Sequence, residues 1–236
     1  MDSTRDWWLD RIDFVDPGTL CDAGCNRVLK QAHVVIEGGK PLLYGSDCIK
    51  KKFGGDNEAY RRAKSLCPDV TRRAVLSSER VGARAKGQGG GVTTDSATDE
   101  ARFAAEYLWL RMEAFHVLCP PIAENHFMRW DVMVEVFERK RATGRLERPD
   151  IQKIINTEKG AREGALIWLS LDNLLDLYTV LREMKRIDPD NKIEYFDSLR
   201  TYISKNFYLT QRQVQAAINW KVRISKDAFA WAHVSH

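Results

Sequence analysis

Cys21-Asp22-Ala23-Gly24-Cys25, followed by a third thiol at Gly45-Ser46-Asp47-Cys48, restricts the folding choices of this chain more than any other stretch. Two thiols lie across a glycine turn. The third opens a basic, partly apolar run, Ile49-Lys50-Lys51-Lys52-Phe53-Gly54-Gly55. Thiolates bind a soft or borderline divalent cation at short range, so one tight turn can supply two ligands and a distant segment the others. A segment this short has too little apolar surface for a core of its own, and ligation supplies folding free energy in its place. The chain has 236 residues and an odd number of cysteines, 5. In a reducing compartment thiols stay free, so metal ligation accounts for most of them, and Cys119, beside Pro120, reads as a buried inert thiol.

The residues between the thiols describe a hairpin. Ala32-His33-Val34-Val35-Ile36 is rich in β-branched side chains, Glu37-Gly38-Gly39-Lys40 is a turn, and Pro41-Leu42-Leu43-Tyr44 is the return strand. Gly45 permits a sharp bend, and Ser46 or Asp47 can cap a helix starting near Cys48, whose unpaired N–H groups favour a thiolate. This order of knuckle, hairpin and helix with a ligand in its first turn resembles a treble-clef zinc finger. Cys21, Cys25, Gly45, Cys48, Ile49, Phe53 and Gly55 together are similar to small zinc-binding modules in uncharacterised bacteriophage and plasmid proteins, over residues 21–55 only. The resemblance implies a structural Zn²⁺ in a closed shell. The knuckle spans three intervening residues where two are commoner, and Lys51 and Lys52 stand where a treble clef places its second helical ligand. Cys67, at the end of the next helix, is the preferred fourth ligand, with His33 as the alternative.

The charge is uneven. Net charge is +4, yet residues 21–86 carry fourteen Lys and Arg against seven Asp and Glu, and the rest of the chain is balanced or acidic. A local positive field attracts polyanions. Lys50, Lys51, Lys52, Arg61, Arg62, Lys64, Arg72 and Arg73 are therefore the expected phosphate contacts of a nucleic-acid-binding protein of a phage or other mobile element. The alternative is a phage-encoded adaptor or inhibitor that docks on a host protein complex through its helical part. No Walker loop, nucleophile elbow, His-Glu-x-x-His or dinucleotide fingerprint is present, so no enzymatic activity is expected. His116, Glu124 and His126 around Pro120-Pro121 read as helix-end polar groups.

The expected fold class is α+β: a small zinc-stabilised module of hairpin and helix, then a mainly helical domain. Residues 1–20 read as an amphipathic arm ended by Pro17-Gly18, residues 21–85 as the basic module, 86–98 as a glycine-rich linker and 99–236 as all helical. Helices are expected from Thr98/Asp99 to the Pro120-Pro121 stop, over 126–143, from Pro149, over 163–187, over 195–205 and from Thr210 to Val234. A weak repeat, a helix, a short turn with one Leu and then a Gln-bearing helix, recurs at 137–155 and 202–218, a spacing also found in helix–turn–helix DNA readers. No apolar run is long enough to span a bilayer. Met1–Trp8 lacks a secretory signal pattern, so a cytoplasmic location is expected.

Overall fold

The computed structural model describes residues 6–71, 96–188, 190, 192–210, 212–214 and 216–217. Arg72, Arg73, the expected linker up to residue 95 and most of the helix expected after Thr210 lie outside these. The fold is mixed α/β, with an antiparallel sheet of three strands, in the order β1-β2-β3, ahead of a mainly helical body.

Strand β1 is Trp7–Phe14, where an arm was expected. It pairs with β2, Gln31–Glu37, which pairs in turn with β3, Lys40–Tyr44. The two partners of β1 and β2 run in register from both ends, but Leu9 faces Val35 and Arg11 faces Val34, so Asp10 is an inserted residue. A bulge of this kind turns the strand and shifts which side chains share a face. Leu9 and Ile12 thereby both enter the apolar cluster formed with Val35, Ile49, Phe53 and Tyr60. Asp10 and Asp13 are buried as well, against the helical body.

Helix α1, Ser46–Lys52, follows the hairpin directly, and α2, Asn57–Leu66, follows after a short turn. Asp56 caps α2, its Oδ1 accepting from the amides of Glu58 and Ala59 at 2.9 Å. Helix α3, Ser96–Trp109, packs against α2 and runs into a π-helical turn at Leu110–Ala114. The wide turn carries the buried Arg111, which donates to the carbonyls of Met128 and Phe127 and to the Tyr107 hydroxyl. Burial holds this guanidinium below its usual pKa, offset by Tyr107. It ties the segment after the short helix α4, Pro120–Ala123, to the core.

Helix α5 is Asp131–Thr143 and α6 is Arg148–Glu163, with Pro149 in its first turn as expected. The single helix expected over 163–187 is broken. Gly164 ends α6 in an extended conformation, a 3₁₀ turn covers Ile167–Leu169, and Ser170 caps α7, Leu171–Ile187. Helix α8 is Glu194–Asn206. Of the weak repeat expected at 137–155 and 202–218, the second copy runs partly outside the described residues; α5 ends on Gly144 at φ 71° and α8 on Phe207 at φ 58°, both left-handed. The main apolar core draws on α3 through α8, with Tyr107, Phe115, Met133, Ile154 and Phe196 almost fully enclosed. Burying a side chain of this size contributes about 1.5–3 kcal/mol.

Polar bonds join sheet and helices. Lys140 of α5 donates to Asp10 at 2.8 Å, Tyr178 of α7 donates to Asp13 at 2.6 Å, and Arg182 donates to the Phe14 carbonyl at 2.6 Å. Arg11 bridges Asp10 and Asp13 and lies 5.0 Å over the Trp109 ring. Burial alone would raise the pKa of Asp10, but Lys140 and Arg11 outweigh it and hold the carboxyl low.

Candidate metal centre

The loop before β2 folds on itself and then onto β3. A bridge between Leu20 and Val28 closes it, with Cys21 N–H donating to the Arg27 carbonyl at 3.0 Å and Leu29 N–H to the Thr19 carbonyl at 2.8 Å. Gly24 at φ 71° and Asn26 at φ 54° provide the left-handed turns that bring Cys25 back beside Cys21. Asp22 stitches the loop to β3: its amide donates to the Leu43 carbonyl at 2.8 Å, and its carboxylate accepts from Leu43 N–H at 2.6 Å. From Tyr44 the chain passes through Gly45 into α1, and Cys48 stands in the first turn.

Cys21, Cys25 and Cys48 come together in this way, their sulfurs all within 4.8 Å of one another. Cys21 is buried, Cys25 exposed and Cys48 between the two. Gly45 N–H donates to Cys21 Sγ at 3.4 Å, and the Cys25 and Cys48 sulfurs are 3.5 Å apart. The Arg27 amide, and after it the Cys48 thiol, lower the pKa of Cys25, while the shared hydrogen bond pushes Cys48 up to about 11. A cation binds the deprotonated sulfurs, so ligation here would release the thiol protons. Three sulfurs at this spacing can hold a metal ion.

The structure does not bring the two candidates for a fourth ligand to this group. Cys67 is buried beside Leu9, Ile12 and Tyr60, its thiol donates to the Lys64 carbonyl at 3.5 Å, and burial followed by Asp69 pushes it up to about 12. His33 is buried in β2 with Nε2 on the Tyr60 hydroxyl at 2.9 Å. Burial, then Lys64, pulls its pKa down to about 4, so the ring is neutral near pH 7. It does line the cavity of about 180 Å³ that borders Cys25 and Cys48.

The basic residues divide. Lys52 is engaged within the fold, donating to Glu37 at 2.9 Å and lying over the rings of Trp7 and Tyr44. Lys50, Lys51, Arg61, Arg62 and Lys64 are exposed and form no ion pair among the described residues. Lys50 reaches across to the Tyr60 ring of α2, and Lys50 and Lys64 both bear on His33, so cations of the two helices stand on a common side of the module. Arg27, which the sequence reading passed over, pairs with Asp47 at 2.9 Å beside the triad. Its basic side chain, two positions after Cys25, was the available signal.

Fold and site define a mainly helical α+β protein with a three-sulfur cluster at the corner between loop, hairpin and helix. No protein-family model, curated protein or solved structure matches the chain.

Proposed function

We propose that this protein binds nucleic acid without acting on it chemically, through a basic module clipped by Zn²⁺ at Cys21, Cys25 and Cys48. The observation that carries the reading is the pairing of a three-sulfur cluster with five exposed cations on α1 and α2 that no carboxylate among the described residues neutralises. Zn²⁺ suits an all-sulfur donor set because it tolerates any tetrahedral arrangement and has no redox chemistry. Ligation of Cys48 fixes the start of α1 against the loop, and the helix then carries Lys50 and Lys51 outward toward phosphate.

Titrating a labelled duplex or single strand with the protein at several salt concentrations tests this. Each neutralised phosphate of a duplex adds about 0.9 to the slope of log affinity against log salt. The double variants Lys50→Ala/Lys51→Ala and Arg61→Ala/Arg62→Ala should each flatten the slope by up to about two and weaken binding of all sequences alike. A protein not retained by nucleic acid at low salt, or variants with the parent's slope, would overturn the reading.

A second reading has its own observation. Val117 is 75% exposed, Trp130 49% and Phe127 41%, all in the segment around α4. Such residues suit a protein partner, as in an adaptor or inhibitor of a host complex. Recovery of a stoichiometric protein partner that survives nuclease, and is lost with Trp130→Ala, would favour it.

A further inference from the structure

The triad is asymmetric. Cys21 is 4% exposed and its sulfur accepts the Gly45 amide, whereas Cys25 is exposed and stands 3.5 Å from Cys48. The cavity of about 180 Å³ opens on Cys25 and Cys48, with Arg27 and Gly45 among its walls, and Cys21 takes no part in its lining. Among the described residues no fourth His, Cys, Asp or Glu joins the group, and His33 and Asp47 only line the cavity. Cys67 and Cys119 are buried elsewhere.

We infer that Cys25 and Cys48 form a site of reversible oxidative modification, closed to a disulfide by hydrogen peroxide or an organic hydroperoxide, with release of the metal ion. The release step rests on the Zn²⁺ reading above, and the disulfide itself does not. Cys25, the exposed sulfur, loses its proton and attacks the peroxide: an S–O bond forms, the O–O bond breaks, and water or an alcohol leaves after protonation. Cys48 then attacks the Cys25 sulfur. The S–S bond forms, the S–O bond breaks, and hydroxide leaves as water once protonated. The two thiols lose their protons and give up two electrons, and the peroxide takes both electrons and protons to leave as water, or as water and an alcohol. A cation that loses two of three sulfur ligands is left on Cys21 alone and dissociates. A dithiol reverses the disulfide, and added Zn²⁺ then rebinds.

The test treats the full chain, zinc-loaded and metal-free, with hydrogen peroxide. Zinc release is followed with a metallochromic indicator, and disulfides are mapped by mass spectrometry of non-reduced peptides. The expected result is a Cys25–Cys48 disulfide in both preparations, with one zinc released per disulfide in the loaded protein. Dithiothreitol should restore both thiols, while Cys67 and Cys119 stay reduced throughout. Cys48→Ser should instead accumulate a sulfenic acid at Cys25 that dimedone traps. Pairing through Cys21, or over-oxidation of Cys25 with no disulfide, would overturn the inference, as would a disulfide formed while the zinc stays bound. A chain that binds no zinc but still closes Cys25 to Cys48 would remove the Zn²⁺ reading and uphold the modification site. Absence of the disulfide from the metal-free chain would remove the site itself.

Discussion

Lys140 and Asp10 are 130 positions apart in sequence, yet they meet in the seam between sheet and helices at 2.8 Å, with about a tenth or less of either side chain exposed. Removing one member of such a pair leaves a buried charge with less compensation, which typically costs about 3–5 kcal/mol. Lys140→Met should therefore destabilise the protein by several kcal/mol in urea unfolding, and adding Asp10→Asn to it should recover part of the loss. Asp176 of α7 presents the opposite case. Burial, with Asp172 one turn before it, raises its carboxyl to about 6 from 3.8. The folded chain thus holds a proton there that the unfolded chain releases. The stabilisation is complete below the unfolded value and is lost as pH rises through 6. Asp176→Asn should stabilise by about 1–2 kcal/mol near neutral pH, a figure reduced for partial exposure, and by almost nothing near pH 4. Urea titrations at the two pH values read the difference. The three clustered thiols were legible in the sequence because a turn and a helix start are local features. That Cys67 joins an apolar cluster and His33 bonds to the Tyr60 hydroxyl depends on how α2 packs back on the sheet, and no local signal reports that.

Strand β1 shows why element type is harder to read than ligand spacing. Trp7-Trp8-Leu9-Asp10-Arg11-Ile12-Asp13 has no strict alternation of apolar and polar residues, because the bulge at Asp10 places Leu9 and Ile12 on one face at a spacing of three. The β2–β3 hairpin was legible because its turn and its β-branched strand agree. The division of the expected 163–187 helix was not, because Gly164 resembles a tolerated interior glycine until its close approach to Gly160 is seen: a Cβ there would meet the Gly160 carbonyl oxygen at 2.8 Å. Gly144 makes a sharper prediction. It ends α5 at φ 71°, and an added Cβ would come within 3.1 Å of the Trp8 ring. Gly144→Ala incurs both backbone strain and a clash with β1, so a loss of about 1–2 kcal/mol is expected. Trp8→Leu should relieve the clash alone, and a double-mutant cycle by thermal unfolding separates the two contributions.

The sheet is held from two directions: the thiol corner fixes β2 and β3 to the loop and α1, and the polar seam fixes β1 to α5 and α7. Metal removal should therefore loosen only the first of these. With a strong chelator, hydrogen exchange is expected to quicken at Cys21, Leu29 and Ile49, while amides in α3, α6 and α7 keep their protection and far-ultraviolet ellipticity changes little. Global unfolding on chelation would contradict this. The seam also bears on how the chain folds during synthesis. Strand β1 leaves the ribosome well before α7, but Tyr178 hydrogen-bonds to Asp13 across 165 positions, and Arg182 reaches Phe14 from still farther along. The bulged strand can pair with β2 early and Asp10 can meet Lys140 once α5 is made, but the bonds from Tyr178 to Asp13 and from Arg182 to Phe14 wait for α7. A ribosome stalled before α7 should carry a nascent chain in which Asp13 and the Phe14 carbonyl lack their α7 donors and Trp7–Phe14 is more open to protease, so α7 acts as the closure of this strand.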